Sequence, residues 1–319
     1  MKNMNARSDI VIHDERARRV IGELYETAKR SGGLYRYVSR TAHAVQRLFI
    51  PNRMSPGSIE HQLWLFFATM TDRREESARV YESHVNLRRR HPRLYTEAAA
   101  RMAPDTIAEK LAAEKVGSPG QSARYWPRCA RTLFEKFRGD PLALYRMGDG
   151  LIDDVLRYKP SREGDRLPGF GPKILSLLSL YFEELGLMQM PRDAFPVDVH
   201  VQRFLISTGI ITSTGQVTNE EVERVVRPFL CRLCAEENIP RLELSHVIWF
   251  LGNRCCSGCY RNKAVERLCP SYGDCGGSIS TLTYTKKGLW DFDVPRHRKG
   301  GERTMLLPSD MPLFLMPEV

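Results

Sequence analysis

An amine and a carboxylate in the middle of the chain lie where each could take part in chemistry. Lys173 follows a glycine-rich turn and falls in the first turn of a predicted helix, where the positive end of the helix dipole disfavours a further positive charge. An amine at the start of a helix beside a glycine-rich turn is a candidate nucleophile. Asp198 precedes a second apolar-periodic segment and is predicted to be its N-cap, which orients the carboxylate and leaves it able to act on a substrate.

The turn before Lys173 has the composition of a phosphate-binding hairpin. The sequence LPGFGPK at 167–173 has glycines at 169 and 171, which permit a sharp turn and the close approach of another backbone. The N–H groups that open the following helix favour a phosphate, so a nucleic-acid backbone is predicted to bind here through the main chain. An ordinary helix start with a glycine-rich turn is the alternative. The predicted contacts are Leu167, Gly169, Phe170, Gly171 and Pro172.

Four cysteines near the C-terminal end form the second chemical signal. They are spaced C-x2-C-x9-C-x5-C, and four thiolates so close in sequence are typical of metal ligation. Zinc and an iron–sulfur cluster both fit this donor set, and the spacing does not separate them. Cys231 and Cys234 form a separate C-x2-C, which we interpret as core or spare thiols, with metal ligands as the alternative. The predicted ligands are Cys256, Cys259, Cys269 and Cys275.

The segments that must position these residues read as helices. Apolar residues recur at helical spacing from 174 to 185, and Gly186 is predicted to end that helix as a C′ glycine. A helix after Asp198 is predicted to end at Gly209, and two more are predicted at 219–236 and 242–252. The sequence therefore predicts an all-α fold.

Composition sets broader bounds. The chain has 319 residues, 42% of them hydrophobic, which is enough for one large or two modest domains. A net charge of +10 favours a polyanionic partner. No long apolar run or export signal is seen, so we expect a cytoplasmic protein without a transmembrane helix. Eight cysteines in such a chain favour metal or redox chemistry over disulfides.

Together, LPGFGPK and PVDVHVQR at 196–203 resemble the helix-hairpin-helix DNA glycosylase superfamily, which includes endonuclease III and the adenine mismatch and 8-oxoguanine glycosylases. The resemblance implies that the hairpin grips DNA phosphates, that Asp198 is the catalytic carboxylate and that Lys173 forms a Schiff base. It also implies DNA contacts for His200 and Arg203. One departure is the spacing: 24 residues separate Lys173 from Asp198, so we expect an insertion in the loop 187–195.

The same resemblance extends to the cysteines. Endonuclease III and the adenine glycosylases carry a [4Fe–4S] cluster after a helix with the pattern H-x5-G-x3-C, which His246, Gly252 and Cys256 match. The family's usual spacing is C-x6-C-x2-C-x5-C, so the middle of this set departs from it, and Cys255 can replace Cys256 as first ligand. The resemblance favours [4Fe–4S] over zinc.

A further departure concerns substrate recognition. In endonuclease III relatives a Gln lies in the polar turn that ends an early buried helix, close to the flipped base. The aligned residue here is Thr69, within FATMTD. Thr69 is therefore a candidate DNA contact, with a plain helix residue as the alternative, and the target base cannot be read from the sequence.

The expected architecture is a two-domain helix-hairpin-helix glycosylase fold, with Lys173 and Asp198 facing each other across the cleft. A six-helix barrel is predicted at 58–190. The N-terminal helices at 1–57 pack with the cluster domain at 191–279, and 280–319 is a basic extension.

The expected activity is excision of a damaged, mispaired or modified base from double-stranded DNA by a monomer. Cleavage of the resulting abasic site through Lys173 is expected to accompany it. A monofunctional glycosylase that uses water is one alternative. A non-catalytic DNA-binding protein and a redox-sensing iron–sulfur protein are the others.

Overall fold

The structure is a computed structural model that describes residues 10–33, 35, 49–52, 54–72, 77–157, 167–255, 268–275 and 289–290. Of these residues 68% are helical and 4% are in strands, which confirms the predicted all-α class. Within the described ranges, no helix is both long enough and apolar enough to cross a membrane.

The helices and strands of the described residues are short, with the longest helix spanning 19 residues. The α-helices are α1 (Asp14–Lys29), α2 (Ile59–Thr71), α3 (Ser77–Arg90), α4 (Pro104–Ala113), α5 (Pro119–Phe137), α6 (Ile152–Arg157), α7 (Pro172–Glu184), α8 (Val199–Ser207), α9 (Asn219–Glu236), α10 (Arg241–Phe250) and α11 (Tyr272–Cys275). Short 3-10 helices span Pro92–Tyr95, Glu97–Arg101 and Pro141–Arg146, and a π-helical turn spans Leu251–Cys255. The strands are β1 (Ile10–Ile12), β2 (Ile211–Ser213), β3 (Val217–Thr218) and β4 (Leu289–Trp290).

The chain divides into two compact units. The first unit is Met1–His43 with Val197–Val319, and the second unit is Ala44–Pro196. The sequence placed the corresponding boundaries after residues 57 and 190. Asp198 therefore belongs to the first unit and Lys173 to the second.

The first unit joins the two ends of the chain. Strand β1 pairs antiparallel with β2, with Ile10 opposite Ser213, and β3 pairs with β4. Helix α1 buries residues at helical spacing, among them Ala17, Val20 and Leu24, so one face of it enters the core. Helix α8 packs against α10 and against the π-helical turn that follows α10.

The second unit is built around α2. This helix is apolar on almost all sides, and Trp64, Phe66 and Phe67 are fully buried, as expected of a helix at the centre of a core. It contacts α3, α5 and α7. The Trp126 ring of α5 stacks on Phe67 at 4.7 Å between ring centroids.

Two helix ends follow the sequence signals closely. Helix α7 ends with Gly186 at a φ of +70°, where the Gly186 N–H bonds to the Glu183 carbonyl and the Leu187 N–H bonds to Phe182. This is the Schellman geometry predicted for a C′ glycine. Gly209 ends α8 in the same way, with a φ of +66°.

A buried polar network ties α2 to α3 in the second unit. The Thr71 hydroxyl donates to the Ala68 carbonyl at 2.9 Å, so in its 2.7 Å contact with His84 it accepts from Nε2–H. The neutral His84 ring then accepts the Tyr95 hydroxyl proton at Nδ1, at 2.8 Å. Complete burial lowers the pKa of His84 to about 3, so this tautomer holds at neutral pH.

Candidate functional site

Residues 167–171, called the hairpin from here on, form a tight turn in the second unit. The Phe170 N–H bonds to the Leu167 carbonyl at 3.2 Å, and Gly169 has a φ of +95°. A left-handed backbone favours glycine at 169. Gly171 instead has φ −89° and ψ −179°, which any residue can adopt, and a Cβ built there would meet nothing within 4 Å. The second glycine therefore leaves open space beside the backbone, without being required by the turn.

The hairpin is anchored from its inner side. The Phe170 side chain is buried and stacks on Phe66 at 4.4 Å between ring centroids. The thiol of Cys129, which is fully buried, donates to the Pro168 carbonyl at 3.3 Å. Since its side chain is committed to the core, Phe170 offers a ligand chiefly its main chain.

Helix α7 starts directly from the hairpin. Gly171 is its N-cap and provides no side-chain cap, while Pro172 occupies the first position, as predicted. The first N–H groups of a helix without a cap are suited to binding an anion. Lys173 lies half-buried in this first turn, so its amine is carried by the same turn as the candidate phosphate site.

Asp198 is the N-cap of α8 in the first unit. Its Oδ1 accepts hydrogen bonds from the His200 N–H at 2.8 Å and the Val201 N–H at 2.9 Å. The predicted N-cap is therefore confirmed. Neither cap bond uses Oδ2, so the cap fixes the orientation of the carboxylate and leaves its second oxygen for other interactions.

The first turn of α8 is held by the π-helical turn Leu251–Cys255. Gly252 lies against His200 so closely that an added Cβ would overlap the His200 carbonyl oxygen. The Arg203 guanidinium lies 3.5 Å from both the His200 Nδ1 and the Gly252 carbonyl oxygen. His200 and Arg203 thus contact the segment that leads into the cysteines, and their DNA contacts stay predictions.

Thr69 is fully buried in the second unit. Its Oγ1 lies 3.1 Å from the Tyr81 hydroxyl oxygen, and Tyr81 is also hydrogen-bonded to Tyr181. For Thr69 to touch DNA, its hydroxyl would have to leave this network. Its assignment as a DNA contact stays a prediction.

Two of the predicted metal ligands lie in the described residues. Cys269 lies three residues before the short helix α11 in the first unit, and Cys275 is the last residue of that helix. The pKa of the Cys269 thiol is raised to about 11, chiefly by burial and in addition by the nearby Cys275, although the N–H groups of Ser271 and Tyr272 act to lower it. Without a bound cation this thiol is therefore protonated at neutral pH.

The other ligand candidates cannot be placed in the same way. Cys256 and Cys259 lie outside the described residues, and so does the side chain of Cys255. Within the described ranges, no group of three or more His, Cys, Asp or Glu side chains is arranged to hold a metal. Metal ligation by Cys269 and Cys275, like the full ligand set, stays a prediction.

Cys231 and Cys234 lie on α9 and are both buried. Burial raises the pKa of Cys234 to about 12, and the adjacent Cys231 adds to the shift. A thiol of that kind stays protonated at neutral pH, which is the behaviour of a core thiol.

The structure brings the candidate residues together in two groups. Residues 167–173 lie at one helix start in the second unit, and Asp198, His200 and Arg203 share α8 in the first unit with Gly252 beside them. Sequence reasoning missed Asp193, a loop carboxylate that caps α6 from a distance. A leucine at the N-cap position of α6 was the available signal that its cap must come from elsewhere. Compared with known proteins, the chain matches no protein-family model and no curated protein.

Proposed function

We propose that this chain is a DNA glycosylase that flips a damaged, mispaired or modified base out of duplex DNA and cleaves its glycosidic bond. The observation that carries the proposal is the hairpin. Its inner side is anchored to the core by Phe170, and Gly171 borders open space. It leads directly into helix α7, whose first turn has no side-chain cap and carries Lys173. A main-chain phosphate clamp next to an amine suits an enzyme that acts on a nucleic-acid backbone irrespective of sequence.

In the proposed mechanism the hairpin binds a phosphate beside the target nucleotide, and the base is flipped out at a cost of roughly a few kcal/mol. Cleavage of the glycosidic bond develops positive charge on the sugar. The Asp198 carboxylate stabilises this charge, as carboxylates do in other glycosidases. Its double N-cap bond keeps it in one orientation, which reduces reorganisation during the reaction.

Lys173 is the proposed nucleophile. Its neutral amine attacks C1′ as the bond from C1′ to the base breaks, and the amine gives up a proton to the departing base or to water. The C1′–O4′ bond then breaks with protonation of O4′, which gives a Schiff base that permits strand cleavage by β-elimination. If water attacks instead, the enzyme is monofunctional and Lys173 contacts phosphate only. The two versions differ in one observable, which is a covalent intermediate at Lys173.

A [4Fe–4S] cluster is the proposed cofactor, with zinc as the alternative. Cys256, Cys259, Cys269 and Cys275 would hold it. Bound there, it would fix the fold of a segment rich in arginine and lysine. The chemistry on DNA is assigned to Lys173 and Asp198.

The proposal is tested by borohydride trapping on duplexes that each carry one damaged, mispaired or modified base. Wild type is expected to give a covalent complex with at least one duplex, and Lys173→Gln is expected to lose it. Lys136→Gln removes an exposed lysine of α5 in the same unit and should trap normally. Base release without trapping, lost in Asp198→Asn, would establish the monofunctional version. Intact DNA binding with no release from any duplex would remove the support for catalysis.

A further inference from the structure

Helix α6 has no side-chain cap from its own N-cap residue. It has only six residues, and the residue before it is Leu151, whose side chain has no hydrogen-bond acceptor. A helix this short is not stable by itself, because few intrahelical bonds offset the cost of ordering its backbone. The first N–H groups of α6 therefore need acceptors from elsewhere.

Asp193, 41 residues after Ile152, supplies these acceptors. Its Oδ1 accepts from the Ile152 N–H at 2.8 Å and its Oδ2 accepts from the Asp153 N–H at 3.0 Å. Asp154 completes the cap, since its Oδ2 accepts from the Leu151 N–H at 3.2 Å. The start of α6 is thus closed by one carboxylate from its own first turn and one from a distant loop.

That loop, residues 187–195, is itself fixed to α7. The Glu183 carboxylate of α7 accepts from the Met190 N–H at 2.6 Å. The Leu187 side chain lies beside Gly57, and Phe195 is fully buried. The loop is therefore bound to α7 through Met190 and to α6 through Asp193, and its last residue is buried in the core.

Helices α6 and α7 contact each other and lie on either side of the segment that contains the hairpin. We infer that Asp193 is a positioning residue for the hairpin, acting by holding α6 against α7 through the loop. The inference rests on the proposed function, since the hairpin is taken to bind DNA. It also gives a specific role to the loop 187–195, in which the sequence analysis expects an insertion.

The structural part is tested on the free protein by hydrogen exchange of a peptide covering 152–157. Asp193→Ala should speed exchange there by about tenfold, as expected for the loss of an N-cap. Asp193→Asn keeps one carbonyl acceptor, so its exchange rate should lie between those of Asp193→Ala and wild type. Asp105→Ala removes an exposed carboxylate from the first turn of α4 and is the matched control.

The functional part uses a duplex that carries a stable abasic-site analogue, so the target base need not be known. Asp193→Ala should weaken binding by about tenfold, and Asp105→Ala should not. Adding Leu151→Asp to Asp193→Ala gives α6 a local N-cap and should restore both slow exchange and affinity. If Asp193→Ala instead destabilised the whole protein, a new N-cap at residue 151 would not restore exchange or affinity.

Each outcome is decisive. Unchanged exchange in Asp193→Ala would overturn the capping role, whatever the protein binds. Faster exchange with unchanged affinity would overturn the link between the cap and the hairpin. If wild type does not bind the duplex at all, the proposed function fails and takes the DNA role of Asp193 with it, while the exchange result still decides whether Asp193 caps α6.

Discussion

At Asp198 the structural and catalytic roles of one carboxylate can be separated by substitution. Only Oδ1 makes the two cap bonds, and asparagine caps helices about as well as aspartate. Asp198→Asn should therefore unfold at nearly the same denaturant concentration as wild type, while base release falls at least about a hundredfold. Asp198→Ala should lose the same activity and also about 1 kcal/mol of stability. If Asp198→Asn keeps its base-release rate, the residue is a cap and not a catalytic group.

His84 gives a prediction about pH at the same scale. Its folded-state pKa of about 3 is below its ordinary value of 6.5 because the ring is buried. The unfolded chain therefore binds a proton between these values that the folded chain does not, and stability must fall as pH drops below about 6.5.

The limiting slope for one such group is about 1.4 kcal/mol per pH unit. We expect urea unfolding to show this decline from pH 6.5 to pH 5 in wild type relative to His84→Gln, since that difference separates His84 from the other seven histidines, a residue type that ordinarily titrates in the same range. His84→Gln should be less stable at pH 7 and should flatten the curve. A wild-type curve that is already flat in that range would contradict a buried, neutral His84.

At the scale of elements, the two glycines of the hairpin before α7 have different roles. Gly169 has a positive φ, so Gly169→Ala should cost about 1 to 2 kcal/mol of folding stability. Gly171 has an ordinary backbone conformation and open space where a Cβ would lie, so Gly171→Ala should fold and lose only about 1 kcal/mol or less, because alanine is a poorer N-cap than glycine. If a phosphate approaches this backbone, the added methyl group should nevertheless lower DNA affinity by about tenfold.

The control for that comparison is Gly120→Ala. Gly120 lies in the first turn of α5, where a Cβ would also meet nothing within 4 Å. Salt-controlled DNA titrations of the two variants therefore compare the same chemical change at two open helix starts. Equal affinities would mean that no ligand backbone approaches Gly171.

At the scale of the whole molecule, the first unit is assembled from both ends of the chain. The Arg19 guanidinium of α1 bonds to the Asp274 carboxylate at 2.5 Å, and Arg16 donates to the Asp274 carbonyl at 3.0 Å. Gly33 lies against the Leu268 carbonyl. The N-terminal segment thus holds the stretch that carries Cys269 and Cys275.

The proposed set of four cysteine ligands predicts how metal content responds to single substitutions. Cys269→Ser and Cys275→Ser should lose most of the bound iron and sulfide, because each removes one thiolate from the proposed set. Cys231→Ser should keep them, since Cys231 is a buried core thiol on α9. If wild type contains zinc and no iron or sulfide, the same four cysteines would be the ligands of zinc. Equal metal content in all the variants would contradict ligation by Cys269 and Cys275.

The sequence by itself determined the features that depend on residues within about one helical turn of each other. The start of α7 at Pro172, its end at Gly186 and the N-cap role of Asp198 were all predicted correctly. The reason is that caps and apolar periodicity are local, so the chemical signal and the structure lie in the same few residues.

Only the tertiary structure decided the contacts between residues far apart in the chain. No local signal identifies Asp193 as the residue that caps α6, Gly252 as the contact of His200 or Tyr81 as the buried neighbour of Thr69. The pairing of β1 with β2 joins segments about two hundred residues apart. Such contacts are set by how whole helices pack. From the sequence alone, many distant residues could equally well be the partner of a given side chain.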